Sequence, residues 1–475
     1  METAAGFVQR HPDNPRYLLF RGKPLAAVTA GEHYGAVLNL DFDYVRYLDA
    51  LREKGFRLTR AFLFYREQPG SFSGHQAKDG LYFPELGLQN PLAPAAESYI
   101  APWRRSGVPG SYDGGCKFDL NCLNEGYFER LKDFCRQASN RGILVEVTLF
   151  SNMYSDDDTG PWLACPLNAL NNINGVGDIP HHAFMSLARR DVVSVLEALA
   201  ARTVQELRDF DNIYYEICNE PNPLPTAPHL PYEDIAAWQN HFVHLIWELE
   251  RGFPQKHMIA VCDPNRDYDL THVSILNFHY QQWADNGLDA FGDAGRVLAF
   301  DETLSGIVAW NREMDFEARR REAWTYIMKG FGVYNYLDFT YATLDPTGTG
   351  QTAFPGEQYY NGEVMRLYLK HLNDFMNGLD FIAMQPDDSF IEGRFHVASA
   401  HGLALPGKAY AVYLNGNSLK HLTLRLPAGG YRAQWYNPRT GVYAPPFEVP
   451  SIQGRAVLEI PLYEQDVALK LEAIS

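Results

Sequence analysis

The sequence predicts an α/β protein, a (β/α)8 barrel followed by an antiparallel β-sandwich. Up to residue 378, eight short runs rich in β-branched and aromatic residues alternate with helical patterns. Eight strands with helices between them is the count of a closed parallel barrel. From residue 379, short alternating runs separated by Gly, Pro and Asn turns are typical of a sandwich. We therefore expect a barrel domain at 1–378 and a sandwich domain at 379–475.

The barrel strands are predicted from apolar runs that end at loop residues. The turn Arg21-Gly22-Lys23-Pro24 joins Tyr17–Phe20 to the first barrel strand, Leu25–Ala30, as a hairpin. The other strands are predicted at Arg57–Phe64, Ile143–Phe150, Asn212–Asn219, Met258–Cys262, Ile275–Tyr280, Val297–Asp301 and Val333–Phe339. The fifth and sixth strands are separated by an unusually short connection.

The helices are predicted from amphipathic patterns with recognisable ends. The first helix ends at Gly55, in the C′ position that favours glycine, and the second is followed by Arg141-Gly142. The predicted helices are Phe42–Lys54, Asn124–Asn140, Ser186–Asp209, Tyr232–Arg251, Phe316–Lys329 and Glu363–Gly378.

The C-terminal region contains six predicted strands: Phe395–Ala398, Ala409–Leu414, Leu422–Leu426, Tyr431–Tyr436, Ala456–Ile460 and Val467–Leu471. Turn residues every 8–12 positions favour a sandwich. We interpret it as a structural cap packed on the barrel, with a sugar-binding module as the alternative.

Composition excludes several classes of partner. The chain has 475 residues, 41 Lys and Arg against 58 Asp and Glu, and a formal net charge of −17. Such a charge argues against nucleic acids, anionic membranes and polyanionic substrates, but not against neutral polymers. No apolar run reaches membrane-spanning length, and no signal peptide is present, so we expect a soluble protein, either cytoplasmic or secreted with its signal removed. The six cysteines lack disulfide or CxxC spacing and are expected to be free thiols.

Two glutamates stand at strand ends. Glu220, in the segment Asn219-Glu220-Pro221, follows the predicted fourth strand, and Glu302 follows the seventh. The carboxyl ends of all barrel strands meet on one face, where barrels keep their chemistry. Two facing carboxylates are also the groups required to cleave a glycosidic bond.

These positions resemble the retaining glycoside hydrolases of clan A. The resemblance covers the barrel and implies that Glu220 is the acid/base and Glu302 the nucleophile. It also implies that Asn219 binds the sugar 2-hydroxyl and that Arg60, inside the second strand, orients the nucleophile. The alternative for Arg60 is an ion pair with Glu146 or Glu216, because an arginine inside a strand must be paired.

Further residues are candidate substrate contacts. His279 and Tyr280 end the sixth strand in a segment similar to the clan's His-any-Tyr pattern, although Gln281 occupies the position of that tyrosine. The clan's tryptophan after the eighth strand is missing, and Asp338 lies in the segment that replaces it. The other candidates are Glu32 and His33 after the first strand, and Trp103.

Trp103 belongs to a long connection, Tyr65 to Asn121, that leaves a strand carboxyl end. Its aromatic content predicts a wall of the substrate cleft, since flat rings pack on the C–H face of a sugar. A second long connection, Ser151 to Met185, contains Tyr154 and His181-His182.

We therefore expect a retaining O-glycosyl hydrolase that acts on a neutral, β-glucan-like oligo- or polysaccharide. A transglycosidase with the same residues and a non-catalytic carbohydrate-binding barrel are the alternatives. No cofactor is predicted. No metal site is predicted either, because Ser155–Asp158 lacks the spacing of a calcium loop. The partner is the saccharide, without nucleic acid or membrane, and the sequence does not indicate protein partners.

Overall fold

The eight-stranded parallel sheet predicted from sequence forms the centre of the computed structural model. The structure describes residues 6–67, 90–156, 160–222, 229–264, 267–292, 294–303, 315–349, 352–353, 359–360, 362–393, 397–416 and 419–474. The barrel strands are β1 (Ala27–Gly31), β2 (Leu58–Phe62), β3 (Leu144–Ser151), β4 (Ile213–Asn219), β5 (Ile259–Cys262), β6 (Ile275–His279), β7 (Val297–Thr303) and β8 (Val333–Leu337). In the sheet, β2 to β8 are neighbours in numerical order, and β1 lies beside β8.

The ends of this sheet meet at β1 and β2. The Thr29 hydroxyl donates to the Leu58 carbonyl at 2.7 Å, and the Phe62 amide donates to the Tyr34 carbonyl at 3.0 Å. These contacts bring β1 beside β2, so the sheet forms a nearly closed barrel, as predicted.

Seven longer helices surround the described barrel. They are α1 (Tyr44–Glu53), α2 (Glu125–Asn140), α3 (Arg190–Leu207), α4 (Tyr232–Leu249), α5 (Tyr280–Phe291), α6 (Phe316–Met328) and α7 (Gly362–Asn377). Short helices occupy Pro161–Ala164 and His181–Met185. Asp43 caps α1 by accepting hydrogen bonds from two amides of its first turn. No helix is present among the described residues between β5 and β6, which agrees with the short connection in the sequence.

The N-terminal hairpin is separate from β1, which differs from the prediction. Leu18–Phe20 pairs with Lys23–Leu25, and Gln9–Arg10 adds a third strand. Arg21 and Gly22 have φ of 50° and 72°, as in the two-residue turns that match strand twist. Phe20 joins the apolar cluster that fills the amino-terminal end of the barrel.

The connection between β2 and α2 contains regular structure where the sequence analysis predicted a loop. Trp103–Pro109 and Cys116–Leu123 form an antiparallel hairpin with two irregularities in register. Most positions of this hairpin are exposed or half-buried, as in a surface ribbon, whereas Trp103, Phe118 and Leu120 are buried.

The C-terminal region folds into two antiparallel sheets. The main strands are β9 (Ser399–Leu405), β10 (Ala409–Asn415), β11 (His421–Arg425), β12 (Gly429–Asn437), β13 (Phe447–Ser451), β14 (Arg455–Glu459) and β15 (Asp466–Ala473). Shorter strands occupy Gln385–Pro386, Ile391–Glu392 and Val442–Tyr443, and a separate pair, Thr352–Ala353 with Tyr359–Tyr360, precedes α7. β9, β10, β15 and β12 form the larger sheet, β13 also pairs with β12, and β11 pairs with β14 in the smaller sheet. The predicted strand Phe395–Ala398 begins outside the described residues, and β9 follows it.

The two-sheet region packs directly on α6. The Trp324 ring stacks on Tyr413 with a centroid separation of 5.3 Å. Nearby, Arg320 forms a fully buried ion pair with Asp466 at 2.6 Å. Apolar stacking and a buried ion pair fix the sandwich against the outer surface of the barrel.

All six cysteines are free, as expected. Within the described parts of the chain, every helix falls short of the length and hydrophobicity that a bilayer span requires.

Candidate active site

Glu220 and Glu302 face each other at the carboxyl-terminal end of the barrel. Glu220 directly follows β4, and Glu302 lies near the end of β7. A carboxylate oxygen of one lies within 4.8 Å of a carboxylate oxygen of the other, with His279 completing the group. Their side chains are 19% and 12% exposed, so both acids are reachable from the barrel mouth.

An irregularity in β7 turns two consecutive acids toward the barrel interior. The register of β7 shifts against β6 beside His279 and against β8 between Phe300 and Thr303. Extra residues of this kind redirect side chains at barrel rims. As a result, the same Arg60 nitrogen lies 3.2 Å from Glu302 and 3.6 Å from Asp301.

Arg60 organises the charges beneath the two glutamates. Its side chain is fully buried in β2 and donates to Glu302 at 3.2 Å, to Asn219 at 3.0 Å and to Glu216. Burial lowers the pKa of Arg60, but Glu216, Asp301 and Glu146 raise it well above its ordinary value. Arg60 therefore stays charged, and it contacts both the nucleophile candidate and the deeper acids that were its alternative partners.

Hydrogen bonds hold the Glu220 carboxylate from three sides. The Tyr154 hydroxyl donates to it at 2.5 Å, His279 Nδ1 lies 3.0 Å away, and Tyr280 adds a side-chain hydrogen bond. Tyr154 also accepts a hydrogen bond from the Asn219 amide at 3.0 Å. Asn219 is thus fixed between Arg60 and Tyr154, next to the acid that it precedes in sequence.

His279 bridges the acids as a cation. Its Nδ1 lies 3.7 Å from Glu302, and its Nε2 lies 3.5 Å from Asp301. Burial alone would lower the pKa of His279, but the surrounding carboxylates of Glu302 and Asp301 raise it well above its ordinary value. A protonated His279 donates from Nδ1 to the Glu220 carboxylate and favours the ionised form of that acid.

The two glutamates differ in proton affinity. Burial raises the pKa of Glu220, but the hydrogen bond and charge of His279, with the tyrosine hydrogen bonds, lower it overall to about 2. Burial, together with the facing Glu220 charge, raises the pKa of Glu302 to about 7. The pair therefore shares one proton across the intervening pH range, and these pKa values belong to the pair as a unit.

Three expected substrate contacts are buried in the structure. Trp103 is 2% exposed and packs edge-on against Phe64 at 5.3 Å, so it offers no free face to a sugar. Glu32 is fully buried and accepts the amides of its own loop, at Gly35 and Ala36.

Asp338 is also fully buried, and it pairs with Arg366 at 2.6 Å and binds Thr340. His33 is 4% exposed and lies 4.0 Å from the Phe339 ring. Burial lowers the pKa of His33 to about 3, so its imidazole is neutral. Contact between His33 and a sugar stays a prediction.

The structure adds two residues that the sequence analysis did not select. Tyr154 follows β3 by three positions, and its place after a strand carboxyl end could have identified it. Asp263 follows β5 directly and accepts the His279 amide at 3.3 Å. Burial raises the pKa of Asp263 to about 7, and the negative charge of Glu220 acts in the same direction.

The backbone is unusual at these strand ends. Five residues after barrel strands have left-handed φ values of 43° to 66°, although none is glycine: Tyr34, Tyr154, Glu220, Asp263 and Tyr280. Such conformations are costly for residues with a Cβ and concentrate at functional sites. At three of these turns lie Glu220 itself and the two tyrosines that hydrogen-bond it, Tyr154 and Tyr280.

Buried acids below the site lie close enough to hold a cation. Ligand atoms of Glu146, Glu216 and Asp301 lie within 4.8 Å of one another. Arg60 already contacts all three, at 3.9 Å from Glu146 and 3.6 Å from Asp301. The guanidinium therefore supplies the positive charge that a metal would otherwise bring.

Comparison with known proteins gives one partial sequence match and many structural ones. The profile of a domain of unknown function, DUF6298, matches residues 94–186. No curated protein matches the sequence. A solved glycoside hydrolase is 13% identical over 98% of this chain and 97% of its own, with a TM-score of 0.60. A glycoside hydrolase family 5 protein from Bacteroides vulgatus is 14% identical over 98% and 94%, with a TM-score of 0.59. This chain therefore has the fold of the clan A glycoside hydrolases that its sequence resembles, including the C-terminal sandwich.

Proposed function

We propose that this protein is a retaining β-glycoside hydrolase that acts on neutral, β-glucan-like oligo- or polysaccharides. The observation that carries the proposal is that a carboxylate oxygen of Glu220 lies within 4.8 Å of a carboxylate oxygen of Glu302, at the ends of β4 and β7. Retaining enzymes hold their two carboxyl groups about 5–5.5 Å apart, whereas inverting enzymes leave about 6.5–9.5 Å for a water molecule. The short separation supports double displacement.

In the first step, Glu302 attacks the anomeric carbon while Glu220 protonates the departing glycosidic oxygen. A covalent glycosyl–Glu302 intermediate forms, and the C–O bond to the leaving group breaks. In the second step, Glu220 takes a proton from water, and the resulting nucleophile releases the sugar from Glu302. Arg60 holds Glu302 in place, and Asn219 binds the 2-hydroxyl.

The proton count of the free site fits this cycle. The reaction needs one proton on the pair, located on Glu220 when the leaving group departs. Without substrate the proton resides on Glu302, whose pKa is the higher. Positive charge that develops at the anomeric carbon stabilises ionised Glu302, which favours transfer of the proton to Glu220.

Local charge supports a neutral substrate. Two buried cations, Arg60 and His279, already pair with the carboxyl groups of Glu216, Glu220, Asp301 and Glu302, so neither is free to bind an acidic sugar. The net charge of −17 would also repel such a sugar.

A panel of chromogenic aryl β-glycosides tests the activity. We expect turnover of at least one β-glucoside, β-mannoside or β-xyloside by the wild type and none by the Glu302→Gln variant. NMR of the first product should show retained anomeric configuration, and product lengths separate hydrolysis from transglycosylation. Saccharide binding without turnover of any substrate would contradict an enzyme and favour a carbohydrate-binding barrel.

We expect kcat/KM to decline above about pH 7, by about tenfold per pH unit, because the pair loses its single proton there. The direction of this pH dependence follows from the raised pKa of Glu302, since the pair retains its proton below about pH 7 and loses it above. The Glu220→Gln variant provides the control. Its kcat/KM for a dinitrophenyl glycoside should instead rise with pH to a plateau as Glu302 ionises. The same alkaline decline in that variant would contradict the shared-proton account.

A further inference from the structure

A second group of ligand-type side chains lies outside the two catalytic carboxylates, in the connection between β3 and α3. Asp156, His181 and His182 each place one ligand atom within 4.8 Å of the other two. We refer to these residues as the Asp-His-His cluster. The sequence analysis predicted no metal site, because Ser155–Asp158 lacks the spacing of a calcium loop; His181 and His182 follow Asp156 by 25 and 26 positions, and the fold brings the three together. Asp157 and Asp158 lie outside the described residues.

We propose that the Asp-His-His cluster binds one divalent transition-metal ion of the Zn²⁺ type. Two imidazole nitrogens and one carboxylate oxygen are a donor set that Zn²⁺ uses, and Ca²⁺ or Mg²⁺ would favour oxygen donors alone. Three protein ligands leave the fourth tetrahedral position for water or another group.

The geometry needs little adjustment. His181 Nδ1 lies 2.8 Å from Asp156 Oδ2, sharing a proton. An ion with bonds of about 2.0–2.1 Å separates tetrahedral ligand atoms by roughly 3.3 Å, so replacing that proton opens this pair by about 0.5 Å. The two histidine rings are nearly perpendicular, with centroids 5.4 Å apart, so their nitrogens can converge from different directions.

Two further observations favour an ion here. His182 Nδ1 is buried and makes no hydrogen bond within the described part of the structure. The other Asp156 oxygen accepts the His181 amide at 2.6 Å, which orients the carboxylate as outer partners orient metal ligands. Asp156 also lines a cavity of about 510 Å³ with Lys117 and Asp178, so one ligand of the cluster borders open space.

The ion would fix the segment that carries Tyr154. Tyr154 precedes Asp156 by two residues and donates to Glu220 at 2.5 Å. This consequence rests on the proposed function, whereas metal binding does not.

Calorimetric titration of the EDTA-treated, dialysed full chain with Zn²⁺ tests the proposal. We expect one ion per chain, with proton release and a melting temperature that increases with Zn²⁺ concentration. Co²⁺ should give the intense visible absorption of a tetrahedral site. The His182→Ala and Asp156→Asn variants should each lower affinity by at least about tenfold.

Two controls separate this cluster from other sites. His244→Ala removes a histidine from an exposed pair with Asp269 at 3.1 Å and should leave Zn²⁺ binding unchanged. Glu302→Gln tests for binding at the catalytic carboxylates and should also leave it unchanged. Absence of stoichiometric binding, or wild-type affinity in a folded His182→Ala variant, would overturn the proposal. Zn²⁺ binding without any activity on glycosides would overturn only the proposed function.

Discussion

Glu302→Gln is expected to reduce kcat/KM by at least about 10⁴-fold for every glycoside, because no nucleophile remains to form the covalent intermediate. Glu220→Gln should behave differently. Its loss should be about 10²–10⁴-fold where the leaving group needs protonation and close to none for a dinitrophenyl glycoside, whose leaving group departs as an anion. Steady-state kinetics of both variants on a series of aryl glycosides with different leaving-group pKa values provides the measurement.

Two controls belong to this comparison. Circular dichroism and melting temperature must match the wild type, since both side chains are partly exposed and their amides should be accommodated. Added azide should restore turnover in Glu220→Gln by attacking the intermediate without a general base. Equal losses for Glu220→Gln on good and poor leaving groups would contradict the assigned roles.

Arg60→Met is expected to destabilise the fold by about 3–5 kcal/mol, because it leaves buried carboxylates without their cation. Arg60 contacts four carboxyl groups: those of Glu146 and Glu216 deeper in the barrel, and those of Asp301 and Glu302 nearer its carboxyl-terminal end. The free energy of unfolding from urea titration at pH 7 is the measurement. The matched control is Arg251→Met, which removes a surface pair with Glu248 from a 75% exposed side chain and should cost under about 1 kcal/mol.

The pH dependence of Arg60→Met gives an independent check. Burial raises the pKa values of Glu146 and Glu302 and Arg60 lowers them, so its removal places both further above their unfolded values, and stability is lost as pH rises. The difference from wild type should therefore shrink between pH 7 and pH 5. A deficit that stays constant over this range would mean that lost packing, not uncompensated charge, causes the effect.

Local sequence patterns predicted the barrel because each strand and helix has its own apolar or amphipathic run of neighbouring residues. Each predicted strand was an apolar run that ended at loop residues, and the positions of these ends placed Glu220 and Glu302 on one face. The short connection between β5 and β6 was also visible in the chain. These features depend on neighbouring residues, so a single sequence is sufficient to predict them.

Features that depend on distant contacts could not be predicted in the same way. Arg60 meets Glu302 across 242 positions, and only the register shift in β7 brings Asp301 to the same guanidinium. Trp103 was expected at the cleft because its long, aromatic-rich connection leaves a strand carboxyl end. The hairpin that contains Trp103 buries the ring, and neither pairing nor burial is encoded in the spacing of its aromatic residues.

The left-handed turns at the barrel mouth affect how this protein could be made more heat-resistant. Each non-glycine residue in that conformation stores about 1–3 kcal/mol, which the rest of the fold must offset. Replacing Tyr280 with glycine would release part of that energy and also remove a hydrogen bond to Glu220, and replacing Asp263 would remove the acceptor of the His279 amide. Thermostable variants selected without regard to turnover would therefore accumulate changes at these turns, and screening for stability alone would select against the site.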